Sequence, residues 1–394
     1  MNKYINYLFV IYAFSIPLSR GAISILSAVL FVLWLFSDDL KKKLTYLKSN
    51  PTIIYLTLFI LFSIISLLWS DDFSSGVYYI RKYWYYLPIL AISSTIKKEF
   101  VLYSIYAFLA GMFISEIISF GVFFEFWNTK HSTPELPSPF MSHIHFSIYL
   151  AITALILLNT LFYKDSLKIK LLYLFLFLTT TLNLFVNAGR TGQLAFIITF
   201  FLVLILNIKN KLKALLSAIS IITILIVGAY HTSPVFKARI DVGIEDFNKI
   251  TKEHKYCSSI GLRFGVWQNG IEIFMQNPIF GIGTTDSMDA LYKNIDKNHP
   301  DMQCIKSMPS YHNFFIQVLV MLGLIGLILY AMIYISMLKL KFKNKEFQNM
   351  LFIFISVYTI SSLTENVFHE QFTQAIFTLF TGLFLAQHRI ENEV

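Results

Sequence analysis

Long apolar runs alternate with short polar connections along most of this chain, and one long polar stretch, His231–Tyr311, interrupts the pattern. Runs of this length cross a hydrocarbon core, and they cross it as helices because lipid offers no partner for unpaired backbone groups. Twelve are read: Tyr4–Leu18, Ala22–Phe36, Ile53–Trp69, Tyr83–Ile96, Val101–Phe124, Phe146–Tyr163, Leu171–Val186, Leu194–Ile208, Ala214–Tyr230, Phe314–Met337, Met350–Thr364 and Phe372–Ala386. The first two are parted only by Ser19-Arg20-Gly21 and form a tight hairpin or a broken pair. The expected fold is an all-α polytopic membrane protein.

Lysine placement tests this count, because cytoplasmic connections carry the excess of positive charge. With a cytoplasmic N-terminus the inside connections are Asp38–Pro51, Lys97–Glu99, Lys164–Lys170, Lys209–Lys213 and Leu338–Phe347, plus the tail. Each of these five carries at least two lysines, whereas the outside connections are mostly short and nearly lysine-free. One missed span would reverse every later assignment, so the consistency supports twelve. His231–Tyr311 then lies outside, between the ninth and tenth spans. Three parts follow: spans one to nine in residues 1–230, the outside loop in 231–311, and the last three spans with a cytoplasmic tail in 312–394.

Composition agrees. Of 394 residues 56% are hydrophobic and 14% charged, and mean hydropathy is +0.62; a soluble domain carries about 25% charge. The net charge of +9 does not point to nucleic acid, because the lysines sit in short clusters as topology signals. A cleavable leader is not expected: the first run leads through Ser19-Arg20 into a second, with no small-residue cleavage site. The two cysteines, Cys257 and Cys304, both fall in the outside loop. They are two unrelated thiols or, in an oxidising exterior, a disulfide across most of the loop, which is the expected state.

Candidate chemistry gathers at the outer face. Arg81 and Lys82 stand at the outer end of the fourth span, against the inside bias; they are snorkelling cations or contacts to an anionic lipid-linked ligand. Glu116 lies within the fifth span, where a carboxyl is costly and either bonds a neighbouring helix or serves chemistry. Asn183 and Asn187 read as helix–helix contacts. His143 and His145 stand at the mouth of the sixth span without a convincing set of partner metal ligands. In Asn187–Gly192, Arg190 between two glycines offers a planar fork for phosphate oxygens, and the glycines let the backbone turn and a ligand come close. Ser258–Gly283 reads as a short helix beginning near Arg263 and ending at Asn277-Pro278, with Phe264, Trp267, Ile271, Phe274 and Met275 on one face that lies on the membrane or on the bundle top. His312 stands at the top of the tenth span, where an imidazole can act as a general base.

Together these strings are more specific than any one of them. Arg-Thr-Gly after a span, then Arg-x-x-x-Trp and Asn-Pro-x-x-Gly-x-Gly, then His-Asn at the next span, and Ser362-Leu363-Thr364-Glu365-Asn366 before the last span, resemble the O-antigen ligase and polymerase superfamily. The resemblance covers Met141 to the end closely and the N-terminal third only as generic spans. It implies a bundle of about twelve helices of the glycosyltransferase C type with a large periplasmic loop between helices 9 and 10. It implies an enzyme of the bacterial inner membrane, its site facing the periplasm, that moves glycan from undecaprenyl diphosphate without a metal or cofactor. Carried over by motif, Arg190 and Arg263 grip the diphosphate and His312 activates or positions the acceptor hydroxyl; Asn313 and Glu365 fall on motif positions, and Arg81 or Lys82 supplies further charge. The acceptor it favours is lipid A–core, the ligase reading. O-antigen polymerase and protein O-glycosyl ligase use the same donor. A solute transporter belongs to a different class, which neither an inverted repeat nor a midplane pair of broken helices supports here.

Overall fold

A computed structural model of the protein describes residues 2–129, 132–232, 234–253 and 255–392. Among them the regular structure is helical: α1 (Asn2–Ser15), α2 (Arg20–Leu35), α3 (Leu40–Ser49), α4 (Pro51–Ile65), α5 (Phe73–Arg81), α6 (Pro88–Thr95), α7 (Lys98–Phe123), α8 (His143–Leu161), α9 (Leu167–Val186), α10 (Arg190–Asn207), α11 (Lys211–Thr232), α12 (Pro234–Glu253), α13 (Ser259–Gln276), α14 (Ser287–Asn298), α15 (Phe314–Leu338), α16 (Lys345–Ser362) and α17 (Gln371–Asn392). Two isolated bridges, Thr129–Ser132 and Thr133–Leu136, lie in the connection between α7 and α8.

The protein is membrane-embedded. Seven helical segments among the described residues are long and apolar enough to cross a bilayer, or eight if α2 and α3, which meet at 111°, form one broken span. Each of the twelve apolar runs falls on helical chain, but several are too short or too polar to pass alone. Tyr83–Ile96 is divided into a 3-10 turn and the eight residues of α6 at Pro88. α17 holds Gln371, Thr373, Gln374, Thr378 and Thr381, all buried from Gln371 to Ala386 by protein rather than lipid. Its backbone and hydroxyls are met by neighbours: Tyr149 Oη donates to the Phe372 carbonyl at 2.6 Å and Thr378 Oγ1 donates to the Tyr85 carbonyl at 2.8 Å. Polar residues are tolerated at such depth where other helices satisfy them.

α8 is the central post, with 83% of its span buried, flanked by α9, α10 and α16. The lysine-bearing ends of these helices meet: Asn159, Asn207 and Asn349 form one amide cluster, and Lys164 lies 3.9 Å from Glu346. The residues singled out for chemistry collect at the opposite end.

α13, α14 and the turn Pro300–Ser307 build a small separate core of Val266, Ile273, Leu291, Ile295, Ile305 and Tyr311 over that end. Cys257 and Cys304 are disulfide-bonded there, with their Cα atoms 5.7 Å apart. Phe264, Ile271 and Met275 do share the exposed face of α13. The opposite, buried face is cut small instead: a Cβ on Gly265 would meet Ile305 at 2.1 Å and one on Gly270 would meet Ile316 at 2.6 Å.

The tenth run is not one helix. α15 breaks at Gly323, which sits at φ +62°, about 14 Å below the helix start at 1.5 Å per residue. The segment Pro278–Gly283 lies along the break and takes over its backbone pairing. Ile282 and Gly283 N–H donate to the carbonyls of Val320 and Met321 at 2.9 and 3.0 Å, and Leu324 N–H donates to the Pro278 carbonyl at 2.9 Å. Two backbones come this close only without side chains between them. A Cβ on Gly281 would lie 2.4 Å from Met321, and one on Gly323 would lie 2.4 Å from the Ile279 carbonyl. Pro278–Gly283, part of the 231–311 connection, therefore lie beside a span, where unmet backbone groups cannot persist unless protein satisfies them.

Candidate active site

Three elements deliver three ionisable side chains to one point. Arg263 comes from the second turn of α13, capped by Ser258. His312 comes from the connection just before α15, where Asn313 Oδ1 accepts from Phe315 and Ile316 N–H and starts the helix. Glu365 comes from the connection after α16 and is 9% exposed. The carboxylate bridges the other two: Oε1 accepts from the Arg263 guanidinium at 3.1 Å and Oε2 accepts from His312 Nδ1 at 3.1 Å. With Nδ1–H committed to Glu365, His312 Nε2 keeps its lone pair.

His312 is held in the left-handed region, φ +44°, a conformation that costs a β-carbon-bearing residue energy and that surrounding contacts must impose. Those contacts are visible. Trp267 Nε1, one turn along α13 from Arg263, donates to the Tyr311 carbonyl at 2.8 Å, and Tyr311 Oη donates to the Ser287 carbonyl at 2.8 Å. The helix that supplies the arginine thus also fixes the loop that supplies the histidine.

Two cavities flank this triad. One of about 340 Å³ is lined by Arg190, Arg263, His143, Thr191 and Ser259 among others. The other, about 530 Å³, is lined by His312, Glu365, Lys82, His145, Glu370 and Gln317 with several hydroxyl side chains. Ile144 lines both. The sequence-predicted Arg190, Arg263, His312, Glu365 and Lys82 are therefore brought together. Arg81 is not: its guanidinium stacks 4.4 Å over the Tyr78 ring and is exposed. Asn313 is a helix cap, its carbonyl oxygen already occupied.

The glycines around Arg190 work differently from expectation. They face α8 rather than a ligand: a Cβ on Gly189 or Gly192 would lie 2.3 or 2.1 Å from Ser147. Close packing of α10 on α8 sets the height of Arg190. Thr191 is tied across to Thr364, beside Glu365, at 3.0 Å.

Sequence reading missed His369 and Tyr79. Their rings stack at 3.5 Å with a 9° interplanar angle, and His369 Nε2 bonds the Tyr79 carbonyl at 3.0 Å. Burial pushes the His369 imidazole down to about 3, helped by the charge of Lys82 and opposed by the Tyr79 hydrogen bond. It is a neutral wall of the larger cavity, not a second base. Its signal was present: His369 follows Glu365 by four residues, in the same polar connection before the last apolar run.

Comparison with known proteins agrees with the strings. Residues 174–331 match the family model described as O-antigen ligase, a segment that contains Arg190, Arg263 and His312. An uncharacterized protein of Haemophilus influenzae is 24% identical over 357 residues, which cover 88% of this chain and 85% of that protein. The match spans 158 of the 394 residues and makes that segment similar to the O-antigen ligase family.

Proposed function

We propose that this chain is an O-antigen ligase, transferring glycan from an undecaprenyl-diphosphate donor to a sugar hydroxyl of lipid A–core at the periplasmic face of the inner membrane. The observation that carries the reading is the Arg263–Glu365–His312 bridge between an arginine-lined cavity and a larger hydroxyl-rich one. Arg190 and Arg263 hold the diphosphate. The acceptor hydroxyl lies in the larger cavity and attacks the anomeric carbon. Its proton passes to His312 Nε2, the bond from the anomeric carbon to oxygen breaks, and the electron pair leaves on the diphosphate. A single displacement inverts the anomeric centre. Fixed guanidinium groups stabilise the charge that grows on the leaving oxygens more than they stabilise the ground state. Glu365 holds the imidazole with Nε2 toward the acceptor and shares the positive charge that forms on it, as an orienting carboxylate does in other histidine-based sites. Lys82 adds charge from the larger cavity. With twelve spans and 231–311 outside, as the lysine pattern is read, this site stands at the outer leaflet, where a lipid-linked donor enters sideways.

A strain lacking the gene tests the reading. Its lipopolysaccharide is expected to lose the whole ladder while long glycans accumulate on the carrier lipid. A core bearing a single repeat would assign the polymerase instead, and an unchanged ladder with altered solute uptake would assign a transporter.

Trp267→Phe isolates the positioning of His312. It keeps the ring but removes the donor to Tyr311, a bond of about 1 kcal/mol. The expected result is a fall in kcat of roughly fivefold with KM for the donor unchanged, measured in reconstituted vesicles.

A further inference from the structure

A third cavity, of about 370 Å³, lies within the helices α7, α8 and α9, away from the triad. At one end stand Glu116, Thr153 and Thr180; below them the lining is Leu109, Phe113 and Leu176. Thr180 Oγ1 donates to Glu116 Oε1 at 2.8 Å, the bond to a neighbouring helix expected of an intramembrane carboxyl. The side chain is 3% exposed, yet Oε2 has no hydrogen-bond partner, and neither does Thr153 Oγ1. An unmet polar pair in hydrocarbon is costly, and it marks binding or function more often than packing.

The groove has a direction. Glu116 and Thr180 stand on the active-site halves of α7 and α9, and the apolar lining continues past the middle of the helices to Tyr106, Leu157 and Leu172. That is the polarity of a chain whose one polar end is held on the active-site side of the bundle. One turn above Glu116, Ser119 Oγ donates to the Pro137 carbonyl at 2.5 Å and lies 3.0 Å from Asn183 Oδ1, which roofs the polar end. The flanks are lipid-facing: Tyr106 is 46% and Leu172 54% exposed. Entry is therefore sideways from the bilayer. From Tyr106 to Glu116 the groove is about 15 Å long, and its volume over that length leaves room for one hydrocarbon chain rather than two. A hydroxyl can donate to Glu116 or accept from it, so it satisfies the carboxyl in either protonation state.

We propose that this groove binds a single-chain lipid alcohol, its hydroxyl on Glu116 and Thr153 and its chain between α7 and α9. It is separate from the donor site and does not rest on the transferase reading.

The test uses radiolabelled farnesol and the full-length protein in phosphatidylcholine nanodiscs. Saturable binding of one farnesol per chain is expected, weakened at least tenfold by Glu116→Leu, kept by Glu116→Gln, and lost when Ala110→Trp fills the groove. Farnesyl methyl ether, which cannot donate, is expected to compete at least tenfold more weakly on the unaltered protein. That arm holds even where a variant fails to fold. Unsaturable partitioning alone, equal competition by the ether, or unchanged binding in both Glu116→Leu and Ala110→Trp would each overturn the site.

Discussion

Arg263→Ala is expected to lower glycan transfer by about 10²–10³-fold, the loss seen when one fixed donor to a developing oxyanion is removed, roughly 2.7–4 kcal/mol. Two effects contribute to it. The diphosphate loses a guanidinium, and Glu365, 9% exposed, loses the cation at 3.1 Å that balances its charge. The double variant Arg263→Ala with Glu365→Gln separates them. Should the freed carboxylate be the larger fault, the second substitution restores much of the rate. Should the phosphate grip dominate, the double variant stays as slow as the single. Arg263→Lys keeps the charge but not the fork, and full activity there would argue against bidentate binding. The measurement is transfer from a purified carrier-linked glycan in vesicles, alongside the amount of protein in the membrane, which should not change.

The second large effect concerns proton transfer. His312→Ala is expected to reduce kcat by about 10²–10⁴-fold, the usual range for losing a placed general base, with donor binding retained. Glu365→Gln is expected to fall short of that while changing the same parameter, since the amide can still hold Nδ1 but cannot share the positive charge that forms on the ring. The pH dependence of kcat discriminates a base from a mere packing residue. The limb of the kcat profile that depends on His312 should vanish in His312→Ala and move toward lower pH in Glu365→Gln, because the carboxylate on Nδ1 favours the protonated ring and the amide does not. A shift upward, or no shift, would sink the role given to Glu365.

Much of this was legible in the chain. The apolar runs gave helices wherever they occurred, and the motif residues Arg190, Arg263, His312 and Glu365 do share one end of the bundle. What could not be read was contact between distant segments. The run Phe314–Met337 is apolar but for Gln317 and Ser336, and neither of its two glycines alone announces a break, because Gly323 takes its positive φ from the backbone of Ile279 lying against it. The glycines beside Arg190 looked like room for a ligand and are room for Ser147. Arg81 and Lys82 are neighbours in sequence, but they leave their turn in different directions, one onto Tyr78 and the other into the cavity. Span counting suffered likewise: α17 is too polar for lipid because protein surrounds it.

The interrupted α15 has a bearing on biogenesis. Carbonyls of Val320 and Met321 and the Leu324 amide are answered by Pro278–Gly283, which precede them in the chain. Residues 314–338 are therefore not an autonomous insertion unit, despite being the most hydrophobic segment of the protein. Pro278–Gly283 leave the ribosome first, and the helix is complete only once that segment has folded back against it.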